Sequence, residues 1–382
     1  MRLFAIITVA CLGLPLSSKV SAQSGDNLPD YARAALTGTV VSEAPVSDIL
    51  QVQCSSCGTL RPSAMVHTGC SSCGSAGTLC GDTCQSGLCK PGSKCRYTAN
   101  CGSGFCDTFF GGLAECLCCP DPCYEPIWVH TANAAFFQDT VRPKTYTRYR
   151  FDTIQNMSAS RIGTYFMSQN GPASNALDSF EVTMYQEVAS DKAAFFIEMP
   201  YRSLDYTEGH NAGFVDMNLG TKSLLLDCEL LQLTFQFKTF LPTGASSSGL
   251  GTGHVSLEPS FLASLKLFDA TYLQQQVAYW IPISGDPAWS GAVLHYHWSI
   301  NHLFAERGPW QIIGTAEFNG WSFTTGLVDG VAPAGGKTYC NIGPGLRFVY
   351  CDNYDFGLGY AHALSEQYLG QSQWRAEFRI RF

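Results

Sequence analysis

Charge is scarce in this 382-residue chain: Asp, Glu, Lys and Arg make up 14% of it, against roughly 25% in ordinary soluble domains. The formal net charge is −8, and no cluster of Lys and Arg supplies the electrostatic footprint that nucleic acid requires, which excludes that class of partner. No uninterrupted apolar run of roughly 18 residues follows the leader, so helical membrane spans are excluded as well. A Gly-x-Ser-x-Gly elbow and a His-Glu-x-x-His helix are both absent, and the chain is read as a non-enzyme.

What is present begins with the leader. MRLFAIITVACLGLPLSSKVSA carries Arg2, an apolar run from Leu3 to Leu16, and the small residues Val20-Ser21-Ala22. That is a secretory signal cut after Ala22. A lipoprotein reading of Thr8-Val9-Ala10-Cys11 is disfavoured by the short apolar core before Cys11. Once Arg2 and Lys19 leave, the net charge of −8 becomes −10. Aromatic residues reach 13%. An exported chain that avoids charge, is rich in aromatics and has no helical span points to a β-barrel, since only helices and closed barrels satisfy their backbone in lipid.

The strands support this. LQLTFQFKTF alternates Leu231, Leu233, Phe235 and Phe237 with Gln232, Thr234, Gln236 and Lys238. HVSLEPSFLASLKLF sets Leu257, Phe261, Ala263, Leu265 and Leu267 against His254, Ser256, Glu258, Ser260, Ser264 and Lys266. AVLHYHWSIN opposes Leu294, Tyr296, Trp298 and Ile300 to His295, His297, Ser299 and Asn301, and WQIIGTAEFNG opposes Trp310, Ile312, Ala316 and Phe318 to Gln311, Thr315, Glu317 and Asn319. In YDFGLGYAHAL the lane Asp355, Gly357, Gly359, Ala361 faces away from Tyr354, Phe356, Leu358 and Tyr360. Side chains alternate faces along a strand, and runs this long suit the nine to eleven tilted residues of a membrane strand. Further strands are expected near Lys144, Arg161, Ser179, Ala193 and Gly213. At roughly 20 residues per strand and turn, the chain from about 140 onward holds about 12 strands, and an even number puts both termini at one end.

The last ten residues, QWRAEFRIRF, divide into Trp374, Ala376, Phe378, Ile380 and Phe382 on one side and Arg375, Glu377, Arg379 and Arg381 on the other. Apolar residues at alternate places back from a final Phe resemble the outer-membrane assembly signal, with Trp374, Phe378, Ile380 and Phe382 matching it. This implies the β-barrel assembly machinery and outer-membrane lipid as partners. The arginines are assigned to the lumen, because each would cost about 2–4 kcal/mol on the lipid face at the midplane. By the same parity the lumen is lined by Gln232, Gln236, Lys238, Glu258, Lys266, His295, His297, Glu317, Arg347, Arg375, Glu377, Arg379 and Arg381.

Leu219-Gly220-Thr221-Lys222, Pro242-Thr243-Gly244, Leu250-Gly251-Thr252-Gly253 and Leu257-Glu258-Pro259 together resemble the outer-membrane family named after the MetA pathway of phenol degradation. The resemblance runs over about 213–382. It implies a transporter-like barrel for apolar or aromatic compounds. The cysteine-rich segment has no counterpart in that family.

Of 18 cysteines, fourteen lie between Cys54 and Cys123, and Cys228, Cys340 and Cys351 follow downstream. Cys54-x2-Cys57 and Cys70-x2-Cys73, twelve residues apart, have the spacing of a four-cysteine zinc site, whereas the exported compartment favours disulfides. Both readings stay open for that quartet, and His67 is a minor substitute ligand. Cys80, Cys84, Cys89, Cys95, Cys101, Cys106, Cys116, Cys118, Cys119 and Cys123 read as a disulfide-stapled mini-domain too small for a core of its own. The mature count of 17 is odd, so one thiol is free or pairs between chains. Cys340 and Cys351, at opposite ends of one expected strand, are not expected to bridge each other.

His295 and His297 have the spacing of a metal or proton-handling pair, but polar lumen filling is the favoured reading. His254 follows a glycine-rich loop without a phosphate-binding lysine. The expected organisation is a signal peptide over 1–22, a linker over 23–53, a cysteine-rich domain over 54–123, a connecting segment over 124–140 and an outer-membrane β-barrel over 141–382. The fold class is all-β, a transmembrane antiparallel barrel of about 12 strands behind a disulfide- or zinc-stapled domain. The expected function is a channel or transporter for small solutes, with a periplasmic cysteine-rich domain as plug or accessory. The alternative is an anchor that presents this domain to the cell wall or a periplasmic protein.

Overall fold

The computed structural model describes Leu113 and residues 127–157, 177–207, 209–285, 290–328, 332–333, 335–365 and 370–382. The signal, the linker, the candidate zinc quartet Cys54, Cys57, Cys70 and Cys73, the ten candidate disulfide cysteines and the strand expected near Arg161 lie outside these residues.

Twelve strands follow one another: β1 Tyr146–Met157, β2 Leu177–Ala189, β3 Ala193–Tyr206, β4 in two pieces, Gly209–Phe214 and Met217–Asp227, β5 Leu231–Leu241, β6 Ser256–Phe268, β7 Thr271–Pro282, β8 Val293–Arg307, β9 Trp310–Phe323, β10 Thr338–Tyr350, β11 Tyr354–Ala363 and β12 Ser372–Arg381. Every neighbouring pair is antiparallel, and β1 pairs with both β2 and β12, so the sheet closes on itself. Closure leaves no open edge, which is the condition for a sheet to stand in hydrocarbon.

Connections separate the two ends. Turns of two or three residues join β2–β3, β4–β5, β6–β7, β8–β9 and β10–β11, while the segments 158–176, 242–255, 283–292, 324–337 and 364–371, together with the two-residue connection 207–208 between β3 and β4, join strands at the opposite end. Tyr146 and Arg381 are paired and start and finish the wall at the short-turn end.

Burial is inverted relative to a soluble sheet. Arg148, Arg347, Arg379 and Lys222 are among the largest fully buried side chains, while Phe151, Phe180, Phe261, Trp298, Phe356 and Leu358 are exposed on the outside. On β12, Arg375, Glu377, Arg379 and Arg381 are buried, whereas Trp374 is 55% and Phe382 67% exposed. A charged interior under an apolar outer face is stable when the outer solvent is lipid.

The interruption of β4 at Val215-Asp216 has a structural use. The buried Asp216 carboxylate accepts Gly244 N at 3.0 Å, Thr252 N at 2.7 Å and Thr252 Oγ1 at 2.7 Å. It gathers the 242–255 loop around one acceptor. A Cβ on Gly251 would stand 2.5 Å from Asp216 Oδ1, which is why the loop carries glycine there.

Candidate functional site: a lumen crossed by the chain itself

Residues 127–145 do not run beside the barrel as a connector. They enter the lumen from the short-turn end, climb to the middle of the strands and return to Tyr146. At the rim, Trp128 Nε1 donates to His130 Nδ1 at 3.3 Å, and His130 Nε2 lies 3.1 Å from Asp352 Oδ1 in the β10–β11 turn. One nitrogen accepts and the other donates, which assigns a neutral imidazole with its proton on Nε2. Burial pushes this imidazole from 6.5 down to about 4, against the opposing pull of Asp352.

A single 3-10 turn, Thr131–Asn133, bends the rising arm. Asn133 Oδ1 then accepts Val141 N at 2.8 Å and Arg142 N at 3.3 Å, so one side chain ties the rising arm to the descending one. With no sheet partners of its own, the segment must find side-chain partners for its buried backbone. The wall supplies them. Glu317 on β9 accepts Phe136 N at 2.7 Å and Phe137 N at 3.0 Å. On β7, Gln276 Oε1 accepts Asp139 N at 2.8 Å, and Gln274 Nε2 donates to Asp139 O at 2.9 Å. On β5, Thr234 donates to Val141 O at 2.6 Å. Arg347 donates to Ala134 O at 3.1 Å, Arg375 to Phe136 O at 2.6 Å and Arg379 to Asn133 O at 2.8 Å. Glu187 on β2 accepts Lys144 N at 3.1 Å.

Side chains complete the seal. Phe136 lies on a floor of glycines: a Cβ would fall 2.4 Å from its ring at Gly345, 2.5 Å at Gly357 and 2.9 Å at Gly359. The Arg347 guanidinium covers its other face, 4.5 Å from the ring centroid, and Arg375 stands 4.4 Å from that of Phe137. Asp139 pairs with Lys238 at 2.6 Å, and Arg142 pairs with Asp227 at 2.6 Å.

The residues assigned to the lumen by parity are placed as follows. Arg379 bonds Glu377 at 2.6 Å, Arg347 bridges Glu377 at 2.9 Å and Asp355 at 2.5 Å, and Arg381 also reaches Asp355. Arg375 meets Asp152 at 2.6 and 2.8 Å. Gln236 donates to Asp139 at 2.9 Å, and Gln232 to Asp227 at 3.1 Å. Glu258 stands 3.7 Å from Lys238 and 3.5 Å from His295, whose ring is 5.9 Å from that of His297. Lys266 sits lower, beside Glu229 at 3.3 Å and Asp269 at 3.4 Å. Among the described residues no group of three His, Cys, Asp or Glu could hold a metal.

Beyond the segment, toward the long connections, a cavity of ≈ 320 Å³ remains. Phe136, Phe137, Gln138 and Asp139 lie at its base, Phe240, Trp280, Trp321 and Tyr339 offer rings, and Arg150, Glu181, Glu198 and Arg202 offer charge. Arg150 meets Glu198 at 3.0 Å and Arg202 meets Glu181 at 2.7 Å. Among the described residues, the Gln138 side-chain amide has no hydrogen-bond partner although it is 2% exposed.

Asp152, Asp216 and the whole inserted segment escaped the parity reading. Asp355 was in view, as part of the Asp355-Gly357-Gly359 lane. The signal in that lane was its pair of small residues, which mark space left for Phe136.

No protein-family model matches the chain, so membership of the family resembled by 213–382 is not shown, and no curated protein matches it. Solved structures do. An outer-membrane channel of Pseudomonas putida F1 aligns with 65% of this chain and 100% of its own, at 9% identity and a TM-score of 0.48. The NanC porin aligns with 62% of this chain and 100% of its own, at 7% identity and 0.40. The KdgM porin aligns with 62% of this chain and 99% of its own, at 10% identity and 0.35. These likenesses concern barrel architecture alone.

Proposed function

We propose that the chain is an outer-membrane channel or transporter-like protein for small solutes, shut at rest by its own residues 127–145. The observation that carries this is the pair of bonds from Phe136 N and Phe137 N to Glu317, which fix the segment across the middle of the lumen. Short turns face the periplasm in barrels of this kind and long connections face outward. The cavity then opens to the exterior, and the segment blocks it from the periplasmic side. The plug is thus the connecting segment, and the cysteine-rich region is an accessory.

The solute class follows from the cavity. Four aromatic rings, an unpartnered primary amide and fixed charges of both signs suit a small aromatic molecule with one or two polar groups. Transport requires the segment to leave or shift, because solute and segment compete for the same wall groups.

Flux into liposomes tests the proposal. A variant lacking 128–143 is expected to admit small aromatic solutes that the intact chain excludes. Equal flux through both forms rejects the plug. Exclusion by both, with the variant folded, favours the anchor reading, which the number of bonds between segment and wall also supports.

A further inference from the structure

The cavity beyond the segment is unevenly balanced in charge. Among the described residues, six carboxylates and four Lys or Arg side chains line it. Each cation holds an acid of its own. Arg150 meets Glu198 at 3.0 Å, Arg202 meets Glu181 at 2.7 Å, Arg375 meets Asp152 at 2.6 Å and Lys238 meets Asp139 at 2.6 Å. Asp216 is held by the 242–255 loop. That leaves Glu258, which is 3% exposed. Its neighbours are the already paired Lys238 at 3.7 Å and His295 Nδ1 at 3.5 Å. Both distances exceed the about 2.7–2.9 Å of a charge-assisted hydrogen bond.

Rings flank this carboxylate along one inner row of the wall. Leu257 pairs with Ile281 and Ser260 with Ala278, so Trp280 on β7 stands across from Glu258 on β6. Side chains opposed in this way have Cβ atoms about 4.5–5.5 Å apart. Trp321 on β9 pairs with His295 on β8 and with Tyr339 on β10, which carries the row onward. At the row's other end, Phe240 follows Lys238 on the same face of β5. Trp280 and Tyr339 belong to one buried cluster, and the half-buried Phe240 and Trp321 pack against it. All four rings line the cavity.

We propose that this wall is a site for an organic ammonium ion, with Glu258 as its counter-ion and the four rings as its cage. The inference rests on the reading of the cavity as the solute site and adds the charge of the solute. A cation is attracted to the negative face of an aromatic ring, the more so where water is excluded. An ammonium group between Glu258 and Trp280 gains that attraction together with a charge-assisted hydrogen bond. Further acceptors line the same cavity. Among the described residues, Gln138 Oε1 and Asn218 Oδ1 are buried without a hydrogen-bond partner. An anion is served less well. Arg202 Nη1 also lacks a partner, yet the guanidinium is bound to Glu181 through Nε at 2.8 Å and Nη2 at 2.7 Å. An anion placed there meets the Glu181 carboxylate beside it. The volume of ≈ 320 Å³ lies at the small end of the roughly 300–1,000 Å³ of ligand pockets, which suits an amine with one ring.

Isothermal titration of the intact mature protein in lipid nanodiscs, with protein-free nanodiscs subtracted, tests this. The probes are phenethylammonium, its neutral analogue phenethyl alcohol, and the anion phenylpropanoate. At neutral pH the ammonium is expected to bind about tenfold tighter than the alcohol, and the anion weakest. Glu258→Gln should bring ammonium and alcohol to within about twofold of each other. Trp321→Leu should weaken the ammonium more than the alcohol. Should Glu258→Gln fail to fold, the ranking of probes on the unaltered protein and the Trp321→Leu comparison decide. An alcohol that binds as tightly as the ammonium overturns the ammonium site and leaves the cavity as a solute site. So does an ammonium preference that Glu258→Gln leaves intact, or an anion that binds tightest. Binding of none of the probes overturns the solute cavity itself, and this inference with it.

Discussion

The carboxylate of Glu317, on β9, accepts the backbone proton of Phe136 at 2.7 Å, across 181 positions of sequence. Its second oxygen accepts the next amide. A wall residue thus does for the inserted segment what a neighbouring strand does within the sheet. Hydrogen bonds to a charged acceptor contribute about 1.5–3 kcal/mol each. Replacing Glu317 by Ala is expected to weaken docking by roughly 3 kcal/mol and raise the open fraction on the order of 100-fold. Amide hydrogen exchange at Phe136 and Phe137 checks this in lipid nanodiscs, and unchanged protection would contradict it.

Gly357 and Phe136 form a volume pair. Gly357→Ala should push the ring off its floor and cost about 1–3 kcal/mol, as overpacking does. Adding Phe136→Ala should return much of that loss, a non-additivity that a double-mutant cycle in thermal unfolding measures directly. Additive effects would mean that the ring does not rest there.

Acid should loosen the root of the plug. Buried His130 is neutral, with its pKa pushed down to about 4, whereas a freed imidazole titrates near 6.5. Its contribution is therefore complete above about pH 6.5 and is lost as pH falls from there toward 4, by up to about 1.4 kcal/mol per unit. Trp128, which donates to the same ring, reports the change through its fluorescence. His130→Gln should flatten the response within that window.

The outer face sets the membrane contact. Leu358 is exposed there, and its neighbours Gly357 and Gly359 face inward against Phe136. Leu358→Arg should cost about 2–4 kcal/mol in bilayer-linked unfolding. Truncating Phe382 should instead slow assembly in vivo and leave the folded barrel's stability nearly unchanged.

The wall was legible in the sequence because each strand answers to two solvents. The period of two in QWRAEFRIRF and LQLTFQFKTF carries over directly into β12 and β5. The one irregularity beside β9 lies on β8, where the partners of Ile312 and Ile313 step from Ala305 to Leu303 and leave Phe304 as the extra residue; β9 itself keeps its parity, with Ile313 inward against Ala134 and Val349. Residues 127–145 were illegible because they have no period. Alanines 132, 134 and 135 resemble a linker, and the partners that bury them lie on distant strands. Likewise the arginines of β12 announced a charged lumen, but nothing local revealed that Arg375 and Arg379 also hold carbonyls of the segment.

Single-channel conductance in a planar bilayer tests the central claim most directly, on the mature chain, a chain beginning at Tyr124 and a chain lacking 128–143. Closed traces are expected from the first two and stable open steps from the third. Open steps from the chain beginning at Tyr124, equal to those of the third, would contradict the account and assign closure to the cysteine-rich region.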